Sequence, residues 1–213
     1  MSESTKVKKE RAAKIIEILA KTYADADCTL IYREPLELLI ATQLAAQCTD
    51  ARVNMVTPAL FAKYKTAAEF AEAKEEELSE LIRSTGFYRN KTKNIIACCK
   101  KLIEEFDGQV PRTMDELLSL PGVGRKTANL VLGDIFGVPG IVVDTHAGRL
   151  ARRMGLTKNT DPYKVEMDLL KIIPPDEQAD FCHRLVFHGR AFCDARKPKC
   201  DECPLKEICP KII

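Results

Sequence analysis

The 213-residue chain contains no tryptophan, and aromatics make up only 6% of it. No stretch reaches the roughly 18 unbroken apolar residues of a membrane-spanning helix, so no membrane partner is expected. The opening MSESTKVKKERAAK lacks the apolar core of a secretory signal, and a cytoplasmic location is the expectation. No run shows the strict alternation of a half-buried strand. Neither G-x-x-x-x-G-K-[ST] nor G-x-G-x-x-G occurs, which argues against a nucleotide P-loop or a dinucleotide fold. Charge of one sign is also missing: 33 Lys and Arg face 31 Asp and Glu, a net of +2. Overall charge therefore does not mark a nucleic-acid binder, and its distribution matters more. Four basic residues and no acidic one lie between Thr145 and Thr160, and seven basic against four acidic follow from Phe181 onward.

What is present reads as helix nearly throughout. Ala12, Ile15, Ile16 and Leu19 mark one face of a first helix over 7–23. Pro35 suits the first position of a second helix through LELLIATQLAAQ, and Thr49 or Asp50 caps a third. Two short helices over 66–73 and 75–84 end before Gly86. A longer one buries Ile95, Cys99, Leu102 and Phe106. Thr113 followed by Glu116 predicts a capping box, and Asp144 or Thr145 caps the helix that runs through Met154. Ile141 to Asp144 is the one candidate extended segment. The fold class is all-α, and the glycine-rich connection 137–140 is the expected boundary between two domains.

Two local patterns carry chemistry. The first is LPGVGRKTAN, Leu120 to Asn129, a helix-turn-helix with a tight glycine turn. Pro121 fixes φ, while Gly122 and Gly124 permit close backbone approach. The N–H groups that open the second helix suit an anion such as a DNA phosphate. Arg125 and Lys126 stand on that helix's first turn; a lone lysine there is ordinarily a solvated charge or a phosphate contact. The second is C-x6-C-x2-C-x5-C over Cys193, Cys200, Cys203 and Cys209. Disulfides are rare in a cytosolic chain, and four close thiols hold either Zn²⁺ or an iron–sulfur cluster. Ligation would pin Arg196, Lys197 and Lys199 in the first loop as a clamp for DNA phosphate. Cys99 and Cys182 fit core positions. The adjacent Cys98 and Cys99 are the other candidates for thiol reactivity.

LPGVGRKTAN followed by Val143-Asp144-Thr145-His146 resembles the helix-hairpin-helix DNA glycosylases, and within them the endonuclease III family. LAAQCTDARVN, GFYRNKTKNI, FHGR and the terminal cysteines extend the resemblance nearly end to end. It implies a two-domain helix-hairpin-helix glycosylase fold with a C-terminal iron–sulfur loop. One domain would span 28–138, and a discontinuous one 1–27 plus 139–213. It also implies a monomer that removes oxidised pyrimidines, such as thymine glycol, from duplex DNA in base excision repair. Cleavage at abasic sites by β-elimination would follow, with the enzyme associated with the nucleoid.

The catalytic lysine of the family falls on Lys126 and its aspartate on Asp144. The family's gap-filling glutamine matches Gln47, and His146 matches a site-adjacent histidine. Phe87 stands where bacterial relatives carry a wedge leucine, a departure that bears on base preference. The cysteine spacing matches a [4Fe-4S] motif. An amine is a carbon nucleophile that forms Schiff bases, and the helix start and Arg125 favour its deprotonated form. Two other readings stand beside this one. They are a related glycosylase for mismatched thymine or uracil, and a non-catalytic iron–sulfur DNA-binding module.

Overall fold

The structure is a computed structural model that describes Glu3–Ile212. It contains eleven α-helices and two short 3-10 turns among the described residues, with no strand. The segment 141–144 takes no regular secondary structure. The chain divides into two compact units, Cys28–Gly137 and Met1–Asp27 with Val138–Ile213. This division differs from the sequence boundary only in the placement of Val138.

The Cys28–Gly137 unit is organised around α2 (Pro35–Leu44), which buries every residue from Leu38 to Leu44. A helix apolar on all sides belongs at the centre of a core. It packs against α3 (Asp50–Lys63), α6 (Tyr88–Phe106) and α8 (Arg125–Phe136). Around them lie α4 (Ala67–Ala71), α5 (Glu75–Ile82) and α7 (Met114–Ser119). Cys98 and Cys99 are fully buried in this core. Burial pushes the Cys98 thiol up to about 11 and moves Cys99 in the same direction. Both are packing residues, and the reactive reading of the pair is set aside.

The capping chemistry departs from the expected pattern in one place. Thr113 caps α7 by accepting from the Glu116 N–H, but Glu116 receives the Thr113 hydroxyl instead of reaching back to the backbone. The reciprocal capping box forms at Thr66 and Glu69, at the start of α4.

The other unit joins the first helix to the C-terminal ones. In it α1 (Thr5–Thr22) packs on α11 (Gln178–Ala191), which also contacts α9 (Thr145–Arg153); α10 (Pro162–Leu170) lies against α9. The stripe Ala12, Ile15, Ile16 and Leu19 is buried, together with Leu150, Phe181, Cys182 and Leu185. Cys182 is a core residue whose sulfur accepts the Val142 N–H at 3.2 Å.

Candidate functional site

In the Cys28–Gly137 unit, the hairpin runs from α7 through Pro121–Gly124 into α8. The two glycines have different reasons. Gly122 has φ +77, and a Cβ there would lie 2.7 Å from Gln43 Oε1 and 2.9 Å from Asn94 Cβ, so the turn closes only without a side chain. Gly124 has an ordinary extended backbone, and a Cβ on it would meet nothing within 4 Å. As N-cap of α8 it offers no side-chain oxygen to the helix's first N–H groups, which leaves an anion site of the kind expected at a helix start. Lys126 is exposed on the first turn, and Arg125 beside it is half-buried.

One hollow gathers residues far apart in sequence: Gln47, Phe87, Asn90, Lys91, Asn94 and Gly122 are among those lining it. Gln47 and Phe87, singled out separately, thus share one surface with the hairpin glycine. Both are exposed and both adopt positive φ, 53° and 49°. Phe87 is 64% exposed, which excludes a core-packing role. It lies just after Gly86, ahead of α6, with its ring in solvent.

Lys91 carries no signal in the sequence. It is 5% exposed, and its ammonium donates to Leu44 O at 2.8 Å and Thr85 O at 2.9 Å. It therefore ties the end of α2, just before Gln47, to the turn that carries Phe87.

In the other unit, Asp144 is the N-cap of α9, its Oδ1 accepting the Ala147 N–H at 2.7 Å. His146 follows on the first turn. Its Nδ1 lies 3.1 Å from Arg149 Nη2, and Arg149 also donates to Cys193 O from Nε and Nη2. A Cβ at Gly189 would come within 2.3 Å of His146 Nδ1, so the glycine of FHGR makes room for the histidine of VDTH.

The four terminal cysteines line one hollow with Arg153, His188, Phe192 and others. None of the four forms a disulfide. Arg153, only 9% exposed, binds the loop at several points: Nη1 donates to Cys193 Sγ (3.4 Å) and Asp194 O (2.6 Å), and Nη2 to Ala195 O (2.8 Å). Asp194 Oδ1 accepts the N–H groups of Arg196 and Lys197, which lower the carboxyl's pKa. Arg196, Lys197 and Lys199 are exposed on this braced loop. Nothing in the spacing of the cysteines pointed to Arg153. The only sequence signal was the basic run of α9, which reads equally well as a solvated face.

Comparison with known proteins matches these features. Residues 40–175 match the HhH-GPD superfamily of base excision DNA repair proteins, and residues 193–209 match the iron-sulfur binding domain of endonuclease III. Endonuclease III of a Synechocystis strain is 55% identical over 95% of this chain and 93% of its own length. The Bacillus subtilis enzyme is 46% identical over 91% and 89%. A solved structure of a trapped endonuclease III–DNA covalent intermediate superposes with TM-score 0.91 at 48% identity, covering 95% of this chain and 96% of that one. A thermostable thymine-DNA glycosylase shares the fold, with TM-score 0.85 at 22% identity. The chain carries an iron–sulfur binding domain behind a helix-hairpin-helix repair domain, and it belongs to the endonuclease III family.

Proposed function

We propose that this enzyme is a bifunctional DNA glycosylase and abasic-site lyase for oxidised pyrimidines such as thymine glycol in duplex DNA, acting in base excision repair as a monomer in the cytoplasm at the nucleoid. The observation that carries the reading is the exposed Lys126 on the first turn of α8, directly behind the bare Gly124. A DNA phosphate seated on the hairpin N–H groups fixes the register of the strand. The amine then meets a sugar and not a base edge. No N-capping side chain competes for those donors.

A base inside a duplex is unreachable, so the nucleotide is extruded first. Gln47 fills the gap, and the exposed ring of Phe87 wedges between bases in the manner of other apolar intercalators. The Lys126 amine attacks C1′. The glycosidic bond breaks, the base leaves with the bonding electrons and is protonated, and the sugar ring opens to a protonated imine. That imine acidifies the C2′ proton. Its removal sends electrons toward C3′, and the bond to the 3′ phosphate breaks; water then releases the lysine. Asp144 supplies negative charge for the cation that develops at C1′, while its Oδ1 caps α9. His146 contacts the DNA, with Nδ1 held toward Arg149.

The cysteine hollow fits a [4Fe-4S] cluster. Four unpaired thiols surround one space. The match of residues 193–209 to the iron-sulfur binding domain of endonuclease III favours a cluster over one zinc at these four thiols. Cys193, Cys200, Cys203 and Cys209 would hold it, and its contribution is to cross-link the loop that displays Arg196, Lys197 and Lys199.

Duplex DNA with a single thymine glycol, incubated with the protein and borohydride, tests the reading on a denaturing gel. The expected result is a covalent band that the Lys126→Gln variant lacks. A band of wild-type yield in that variant would falsify the assignment of the nucleophile. Adduct on an abasic site but none on thymine glycol would move the enzyme to another base, with the mismatch-directed glycosylases first in line because Phe87 replaces a leucine.

A further inference from the structure

Three hydrogen-bonding groups form a line in the Met1–Asp27 and Val138–Ile213 unit. The Tyr23 hydroxyl lies 3.1 Å from His188 Nδ1, and His188 Nε2 lies 3.4 Å from Cys203 Sγ. Tyr23 follows the last turn of α1, and His188 stands on α11, 165 residues away along the chain. The imidazole is 1% exposed. Its ring is boxed by Tyr23 at 5.9 Å in an edge-on arrangement and by Phe192 at 5.7 Å, and Tyr23 is itself backed by Phe187. The ring therefore has little freedom to turn away from the sulfur.

We propose that Tyr23 and His188 form a relay that holds an N–H donor on the Cys203 sulfur and thereby sets the reduction potential and the retention of the iron–sulfur cluster. The relay rests on the cluster reading given above. The direction of each bond follows from ligation. A free Cys203 thiol can donate to Nε2, but a metal-bound thiolate only accepts. Nε2 must then carry the hydrogen, which leaves Nδ1 as an acceptor, and the group facing Nδ1 is the Tyr23 hydroxyl. With the phenol donating to Nδ1 and Nε2–H donating to sulfur, both bonds are made and no buried polar atom of the ring is orphaned. Partners of this kind orient the groups that hold a metal. An N–H aimed at a ligand sulfur also draws off negative charge, which favours the reduced cluster and raises its potential. Tyr23 and His188 are positioning residues, acting on the cluster through Cys203.

The test uses the cluster-loaded protein and three variants, Tyr23→Phe, His188→Leu and Phe187→Leu. Each is read by spectroelectrochemical titration of the cluster and by the rate at which a chelator bleaches its visible absorbance. The expected order of midpoint potential is wild type above Tyr23→Phe above His188→Leu. Bleaching should accelerate about tenfold in His188→Leu, as for other outer partners of a metal site when they are removed. His188→Gln, which keeps an N–H donor, should recover part of the potential. Phe187→Leu disturbs the packing but neither bond, so its potential should match wild type.

A Tyr23→Phe protein with unchanged potential and unchanged bleaching overturns the relay. So does a Phe187→Leu protein shifted as far as His188→Leu, because packing would then be the cause. A wild-type protein that purifies without iron and labile sulfide overturns the cluster reading, and the relay with it. A loaded wild type with silent variants overturns the relay alone.

Discussion

Lys91 shows how a single residue shapes the surface that carries Gln47 and Phe87. Its ammonium is taken out of water, and desolvation lowers its pKa from the ordinary value of 10.5. Two backbone carbonyls hold it, one on each of the segments that present Gln47 and Phe87. Those two residues sit in left-handed backbone, a strain of roughly 1–3 kcal/mol each for residues with a Cβ. Lys91→Met keeps the stem and removes both bonds, leaving two buried acceptors unsatisfied. Stability should fall by about 1–3 kcal/mol in urea unfolding, with lesion excision reduced as the two segments loosen; an unchanged unfolding midpoint would refute the tie.

The same lysine gives a pH signature. Because folding lowers its pKa, the unfolded chain binds more protons between the folded value and 10.5, so this group's contribution to stability rises with pH across that window. The difference between wild type and the Met variant should show that rise. In the sequence GFYRNKTKN carries only the family resemblance, and nothing in it marks Lys91 for burial. Lys91 is buried because its partner, Leu44, lies 47 residues away, a distance over which periodicity carries no information.

At the scale of elements, the hairpin separates two meanings of glycine that one motif conceals. Gly122→Ala meets a positive φ and two close side chains, so it should cost about 1 kcal/mol or more of stability. Gly124→Ala has an extended backbone and open space. Its melting temperature should match wild type, while affinity for an abasic-site duplex drops because the new methyl group stands where a phosphate must approach. Equal loss of stability in the two variants would show that Gly124 serves the turn and not the DNA.

The elements themselves were largely legible because their signals are local. The caps at Thr49, Thr113 and Asp144 all lie within three residues of the N–H they bind, and those at Ser4 and Asp161, equally local, went unread. The hairpin, too, is contained in a few residues. The reciprocal box went instead to Thr66 and Glu69, since Glu116 engages the threonine hydroxyl. The left-handed conformation of Gln47 and Phe87 was not legible, as neither is a glycine.

Across the whole molecule, a net charge of +2 leaves little long-range pull on DNA, so affinity must come from cations held in fixed places. The terminal loop supplies such a place. Its cysteine pattern was legible because all four cysteines fall within one short segment, whereas Arg153, which binds the loop backbone from α9 at Cys193, Asp194 and Ala195, was not. Replacing Arg196, Lys197 and Lys199 together by Ala should lower the slope of log affinity against log salt by up to about 3, near one unit for each phosphate no longer neutralised. A slope that does not change would mean that these side chains wave in solvent.

Arg153→Leu should act on the same slope by a different route. It leaves all three cations in the chain and removes the braces that hold them, so their charges spread over many positions and each neutralises a phosphate less often. The slope and the affinity should both fall while formal charge drops by only one. If Arg153→Leu instead behaves as the loss of a single distant cation, a change near or below one unit, then cysteine ligation alone orders the loop, and the buried guanidinium serves the packing of α9.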